Sequence, residues 1–285
     1  MTPVPPLNDR CRALRALHEE GTLVLPNVWD AASAALVAAS GARAVATTSG
    51  GVAWSLGRAD GQALTREEAA AAVARIAAAV DVPVTADVEG GYGPAPEDVA
   101  ATVAAVAGAG AAGINLEDSR APGGPLFTPA EQAERLRAAR TAAVEAGVPD
   151  LVVNARTDVV LFGIGEPESR LDAVRERAAA YAEAGADCLF VPGLLDLEAL
   201  SALAAEGPLP VNAMAVPGGP DVAALRAAGV RRVSTGTALA QAAYGTVRRA
   251  AAEVLDKGTY GECEGGLEYG ELNGLFATGP AGPAD

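Results

Sequence analysis

The chain has 285 residues, half of them apolar, few of them aromatic, and a formal net charge of −15. That length suffices for a large buried core, and a single α/β barrel of this size is ordinary. The charge argues against nucleic acid and anionic membrane surfaces as partners, but not against a small anionic substrate held by a local cation. Cys11, Cys188 and Cys263 are odd in number, far apart and outside C-x-x-C spacing. Neither a disulfide framework nor a zinc site is expected, and a reducing cytoplasm fits. The stretch from Met1 to Pro6 lacks the basic and apolar regions of a secretory signal, and Arg and Glu interrupt the Ala-rich runs at helical spacing, so no membrane span is expected.

In chain order, residues 8–20 read as a polar helix ahead of the main fold, and 1–21 as an N-terminal helical segment. Residues 22–26 read as a strand, 29–40 as a helix closed by Gly41, and 43–48 as a second strand followed by a long loop through Asp60. Helix 66–80 leads to strand 83–87, helix 96–109 to strand 112–117, helix 129–146 to strand 151–156, and helix 169–184 to strand 187–191. Strands at 210–213 and 231–234 complete the set, with helices near 196–205, 221–228 and 237–255. Several helix-to-strand joints repeat a glycine cap, at Gly41, Gly110, Gly185 and Gly229. Eight strand–helix units without a linker predict a closed (β/α)8 TIM-type barrel over residues 22–258 rather than an open sheet. No G-x-G-x-x-G follows the first strand, which weakens a dinucleotide-binding alternative. Residues 259–285 are Gly-rich and read as a terminal segment with a flexible tail.

A barrel of this type carries its active site where strands end and loops begin. Those positions hold Thr47, Thr48, Ser49, Gly50 and Gly51, then Asp60, after the second strand. Asp87 and Glu89 close the third, Asn115 to Asp118 the fourth, and Asn154 to Asp158, with Arg156, the fifth. Asn212 and Met214 end the seventh, and Ser234 to Thr237 the eighth. Asp87 and Glu89 stand two residues apart on extended backbone and so face one side. Like charges held that close need a cation between them, and a divalent metal is the obvious candidate. Tyr92, next in line, offers a hydroxyl as a proton donor. The opposite strand ends carry mostly Pro, Gly, Ala and Arg.

These motifs resemble the isocitrate lyase/phosphoenolpyruvate mutase superfamily across residues 22–276: Ala46 to Gly57 with Asp60, Asp87-Val-Glu-Gly-Gly-Tyr-Gly93, Gly113 to Asp118, Asn154-Ala-Arg-Thr-Asp158, and Tyr181 to Asp187. The resemblance implies a modified barrel whose eighth helix is exchanged between subunits of a homodimer or homotetramer. It also implies Mg²⁺, with Mn²⁺ as a substitute, and a small substrate bearing a 2-oxo or 2-hydroxy carboxylate. Asp87 matches the direct metal ligand, and Asp60, Glu89 and Glu117 match the acids around the ion's water shell. Thr48, Ser49 and Gly50 match the carboxylate pocket, to which Gly51 and Asn212 are added as substrate-binding candidates. Arg156 matches the arginine on substrate oxygens, and Arg156, Tyr92 and Glu117 are the catalytic candidates. The physical reading agrees, since Mg²⁺ prefers oxygen ligands and keeps several waters, and breaking the bond beyond a 2-oxo group leaves an enolate that the ion and Arg156 could stabilise.

One departure matters. Lyases of this family carry a loop after the fourth strand with a Cys acting as acid/base, whereas Ser119 to Phe127 here contains no Cys, His or Lys. The phosphoenolpyruvate mutase loop is absent too. Expected functions are therefore a Mg²⁺-dependent lyase or decarboxylase of oxo acids, a P–C bond enzyme, or a non-catalytic metal-binding barrel. His18 is expected at the surface, Cys188 in the core, Trp54 in packing, and Asp158 paired with Arg156. The last long helix carries Leu239, Ala242, Ala243, Tyr244, Val247 and Val254, faces wide enough to pack on another subunit.

Overall fold

The structure, a computed structural model, describes residues 5–277; the expected flexible tail beyond Ala277 and the first residues of the chain lie outside them. Nine parallel strands form one sheet: β1 Leu23–Leu25, β2 Asn27–Val28, β3 Val45–Thr47, β4 Val84–Asp87, β5 Gly113–Glu117, β6 Val152–Arg156, β7 Cys188–Phe190, β8 Val211–Met214 and β9 Arg232–Ser234. Each strand from β2 to β9 pairs with its sequence neighbour, and β1 pairs with β9. Since only Pro26 separates β1 from β2, the two are one broken strand, and the sheet closes into the eight-stranded barrel that the alternation predicts. Proline has no N–H to give a ladder, which explains the break.

The helices are α1 Leu7–Glu19, α2 Ala31–Ala39, α3 Ser49–Ser55, α4 Arg66–Ala78, α5 Pro96–Gly108, α6 Pro129–Glu145, α7 Arg170–Glu183, α8 Leu197–Glu206, α9 Val222–Ala227, α10 Ala238–Lys257 and α11 Tyr269–Ala277. Thr65 and Thr128 cap α4 and α6 in reciprocal capping boxes with Glu68 and Glu131, which fix where those helices begin. The core is a continuous layer of Val, Leu, Ile and Ala between strands and helices, including Val99, Val103, Ile114, Leu136, Val153 and Leu200.

Two expectations need correction. Residues 49–55 are helical, not loop. Gly50 and Gly51 disfavour a helix by propensity, yet a side chain there would meet Thr237 and Asp60, or Thr48 and Trp29, so close packing decides. His18 is buried, not exposed. Cys11, Leu14, Leu17 and His18 make one stripe of α1 that seats on the N-terminal mouth of the barrel. There Leu14 sits where a Cβ of Gly113 would lie, and Arg15 and Asn8 bond Asp187 and Asp150. Cys188 is in the core as expected.

Helix α10 buries Ala240 alone and exposes Leu239, Tyr244, Val247, Val254 and Leu255. Beside β1, between α2, α8 and α9, lies a cavity of about 1430 Å³ lined by Val24, Val37, Ala204, Ala227 and Leu239. This is the flank that the eighth helix covers in a regular barrel. No helix among the described residues is long and apolar enough to cross a membrane.

Candidate active site

The C-terminal ends of β3 to β6 bring the acids together. Asp87 ends β4; its Oδ2 accepts the N–H of Ser49 at 3.2 Å, its Oδ1 accepts the N–H of Glu89 at 3.3 Å, and its own N–H is held by Thr47 Oγ1 at 2.8 Å. Ser49 is the first residue of α3, so the short helix is what carries this N–H to the carboxylate. Glu89 is buried, takes the N–H of Gln62, and accepts the Tyr92 hydroxyl at 3.3 Å. Asp60 is exposed, with Oδ2 3.0 Å from where a Cβ of Gly50 would stand.

Glu117 and Arg156 are register partners on β5 and β6, and their side chains pair at 2.8 Å. Arg156 Nε also donates to Asp158 Oδ1 at 2.6 Å, so two carboxylates fix the guanidinium plane. Asp158 thus pairs with Arg156 as expected. Thr48, Gly50 and Gly51 are buried beside Asp87. Asn212 lies deeper: it is fully buried, accepts from Asn154 at 3.0 Å and donates to Ser234 at 3.1 Å, within a polar layer inside the barrel. Trp54 meets Tyr244 edge to face.

Three non-glycine residues have left-handed backbone among the described residues, Gln62 (φ 61°), Glu89 (φ 49°) and Tyr92 (φ 55°), and all three belong to this site. Each costs about 1 kcal/mol or more and is held by its surroundings, a concentration of strain that accompanies functional sites. Gln62 has no signature in the sequence, because it contributes its backbone N–H rather than its side chain.

Charge in the cluster is unbalanced. Burial, then Asp87, pushes Glu89 up to about 7. Burial pushes Glu117 up to about 8 against the opposing pull of Arg156. Burial, with Asp60 nearby, raises Asp87, again against Arg156. Burial and the Glu89 and Asp87 charges raise Tyr92, which keeps its proton. A site in which Asp87, Glu89 and Glu117 resist ionisation, with only oxygen donors, fits a hard divalent cation such as Mg²⁺. Among the described residues no three acidic, histidine or cysteine side chains converge as metal ligands.

Residues 119–126 run from the end of β5 across to Gly61, beside Asp60. Ser119 and Leu126 form an antiparallel bridge, and Arg120 N–H bonds Pro125 O at 3.0 Å. At the tip, the Pro122 ring occupies the space a Cβ of Gly61 would need.

Comparison with known proteins places this geometry in a family. The family model described as phosphoenolpyruvate phosphomutase matches residues 14–255. An uncharacterized protein of Mycobacterium tuberculosis is 39% identical over 241 residues, covering 84% of this chain and 88% of that protein. The 2-methylisocitrate lyase of Escherichia coli is 34% identical over 200 residues, 67% of this chain and 64% of that enzyme. The crystal structure of a putative phosphonomutase from Burkholderia cenocepacia superposes with a TM-score of 0.80 at 43% identity, covering 89% of this chain and all of that one. Further similar proteins bear the names oxaloacetate decarboxylase, 2,3-dimethylmalate lyase and oxaloacetate acetylhydrolase. With the barrel, the acids of β4 and β5 and the Arg156 clamp in place, the chain belongs to the phosphoenolpyruvate phosphomutase family, within the isocitrate lyase/phosphoenolpyruvate mutase superfamily of lyases and mutases.

Proposed function

We propose that this protein is a Mg²⁺-dependent enzyme that breaks a C–C bond next to a 2-oxo or 2-hydroxy carboxylate, as a lyase or decarboxylase. The observation that carries the reading is the excess of buried carboxylates around one doubly held arginine, with Asp87, Glu89 and Glu117 all short of positive charge. Asp87 would be the direct ligand in this reading, and Asp60, Glu89 and Glu117 would hold the ion's surrounding water. When bound, the ion supplies Lewis-acid polarisation of the 2-oxo group.

The chain's own residues do the rest. Thr48, Ser49 and the Gly50–Gly51 backbone receive the substrate carboxylate, where the absence of side chains permits close approach. With a 2-oxo acid, Arg156, fixed by Glu117 and Asp158, donates to the substrate oxygen that gains charge as the C–C electron pair moves toward the 2-oxo group. Segment 119–126 excludes bulk water but supplies no proton, having no side chain that titrates near neutrality. The enolate carbon therefore takes its proton from water or from Tyr92. Substrates whose enolate water can quench, such as oxaloacetate-like acids, suit this site better than isocitrate or 2-methylisocitrate. P–C chemistry on a phosphonopyruvate-like acid is the second reading, favoured by the family model and by the resemblance to the putative phosphonomutase.

Assembly belongs to the same proposal. The exposed apolar face of α10 and the cavity beside β1 support exchange of this helix between two copies, in a homodimer or homotetramer. The reduced, separated cysteines suit the cytoplasm.

The test is product release from oxaloacetate, malates, phosphonopyruvate, isocitrate and 2-methylisocitrate with Mg²⁺ present. Turnover of an oxaloacetate-like acid with negligible cleavage of the two isocitrates is expected. Efficient isocitrate lysis, or no turnover across the panel, would sink the reading.

A further inference from the structure

The arginine clamp and the segment that covers it meet at one buried carboxylate. Asp158 is fully buried; Oδ1 takes the Nε–H of Arg156 at 2.6 Å, while Oδ2 takes the hydroxyl of Ser119 at 2.6 Å. Ser119 is the first residue of the covering segment. The feet of that segment are bound to the same place. The N–H of Phe127 donates to Asp118 O at 2.8 Å, and Arg177 Nη1 bridges Asp118 Oδ2 at 2.9 Å and Phe127 O at 2.8 Å. Asp118 Oδ1 in turn accepts the N–H of Asp158 at 3.0 Å, and its Oδ2 accepts the Tyr181 hydroxyl at 2.7 Å. The tip reaches the opposite side of the acids, where Pro122 abuts Gly61 beside Asp60 and Gln62.

We infer that Asp158 and Ser119 are positioning residues that tie the aim of Arg156 to closure of segment 119–126. The physical reason is the cost of a stranded acceptor. If Ser119 leaves, Oδ2 of a fully buried carboxylate loses its only side-chain donor among the described residues, and such a group must find another. Arg156 already donates to the other oxygen of this carboxylate, so the carboxylate rotates onto the guanidinium and draws it from Glu117. Closed cover and aimed arginine are then one state, and coupling of this kind is reciprocal. The catalytic consequence rests on the role proposed above for Arg156; the coupling itself does not.

Trypsin cleavage after Arg120, an exposed residue of the segment, reads opening without ligand or turnover. Ser119→Ala, Asp158→Asn and Arg156→Gln should each speed the Arg120–Ala121 cut about tenfold, and Ser119→Thr, which keeps the hydroxyl, should not. Arg156→Gln is the decisive arm, because the residue lies outside the segment and a purely local role for Ser119 would leave its cut rate unchanged. Wild-type rates in Arg156→Gln and Asp158→Asn overturn the inference, whether or not Ser119→Ala is cut faster. Should Asp158→Asn fail to fold, Ser119→Ala and Arg156→Gln decide alone. In parallel, calorimetry with oxalate and Mg²⁺ should show binding about tenfold weaker in Ser119→Ala and restored in Ser119→Thr. Absence of oxalate binding in the wild type, with the proteolytic coupling intact, would count against the proposed function and leave the coupling standing.

Discussion

At the N-terminal mouth of the barrel, Asp187 lies between Arg15 and Arg140, and Asp150 between Asn8 and Arg12. At the C-terminal mouth, Asp87, Glu89, Glu117 and Asp158 gather around Arg156, with Asp60 beside them. Both mouths carry carboxylates and guanidinium groups, but in opposite ratio. Where cations match or outnumber acids, Asp187 and Asp150 are each held by guanidinium groups and the result is a tied-down plug, α1. Where acids outnumber cations, burial leaves Asp87, Glu89 and Glu117 resisting ionisation, an imbalance that the proposed divalent ion would resolve. Strain follows the same division: among the described residues the left-handed non-glycine positions all sit at the acid-rich end.

The comparison breaks most plainly at Asp187. Asp187→Ala removes the carboxylate shared by Arg140 and Arg15 and the acceptor of the Val153 N–H. Stranding those groups should cost about 4 kcal/mol in urea denaturation while leaving Mg²⁺ affinity unchanged. A loss under about 1 kcal/mol would mean the pairs behave as exposed ones.

A smaller effect should come from His18, whose Nδ1 bonds Leu14 O at 2.9 Å within the plug. Burial, then the Arg232 charge, lowers its pKa from 6.5 to about 4. Above pH 6.5 the ring is neutral in both states and the native state keeps its full advantage. As pH falls from 6.5 toward 4 the unfolded chain takes up a proton that the folded chain refuses, so stability drops by up to about 3 kcal/mol and then levels off. Comparing wild type with His18→Gln across that window isolates this loss; parallel curves would show that His18 is not held neutral.

The smallest effect should be at the tip of the cover. Gly61 has φ +98° and no room for a side chain beneath Pro122. Gly61→Ala should destabilise the closed segment by about 1 kcal/mol, seen as a faster cut after Arg120 with little change in melting temperature. An unchanged cut rate would mean the tip contact does not hold the cover down.

The division between the mouths was readable in the sequence to the extent that it lies in side chains on strands. The period of the apolar runs and the glycine caps located the strands, and the rule that barrel sites sit at C-terminal strand ends selected Asp87, Glu89, Glu117 and Arg156. Helix α3 was hidden because Ser49-Gly-Gly disfavours a helix locally, and only contacts with Trp29, Thr237 and Ala240 show why it forms. The burial of His18 is not legible although the stripe Cys11, Leu14, His18 is present, because what the stripe packs against is a mouth formed by strands as distant in the chain as β5 and β6. Gln62 and Ser119 act through a backbone N–H and a hydroxyl, and which partner each reaches is a matter of tertiary placement.

The central claim is that the acid-rich mouth is a Mg²⁺ site built on Asp87. Calorimetric titration of Mg²⁺ into the wild type, Asp60→Asn and Asp87→Ala tests it most directly. The account predicts saturable binding in the wild type, affinity about tenfold weaker in Asp60→Asn, where the acid acts through water, and no detectable binding in Asp87→Ala. Unchanged Mg²⁺ affinity in a folded Asp87→Ala protein would contradict it.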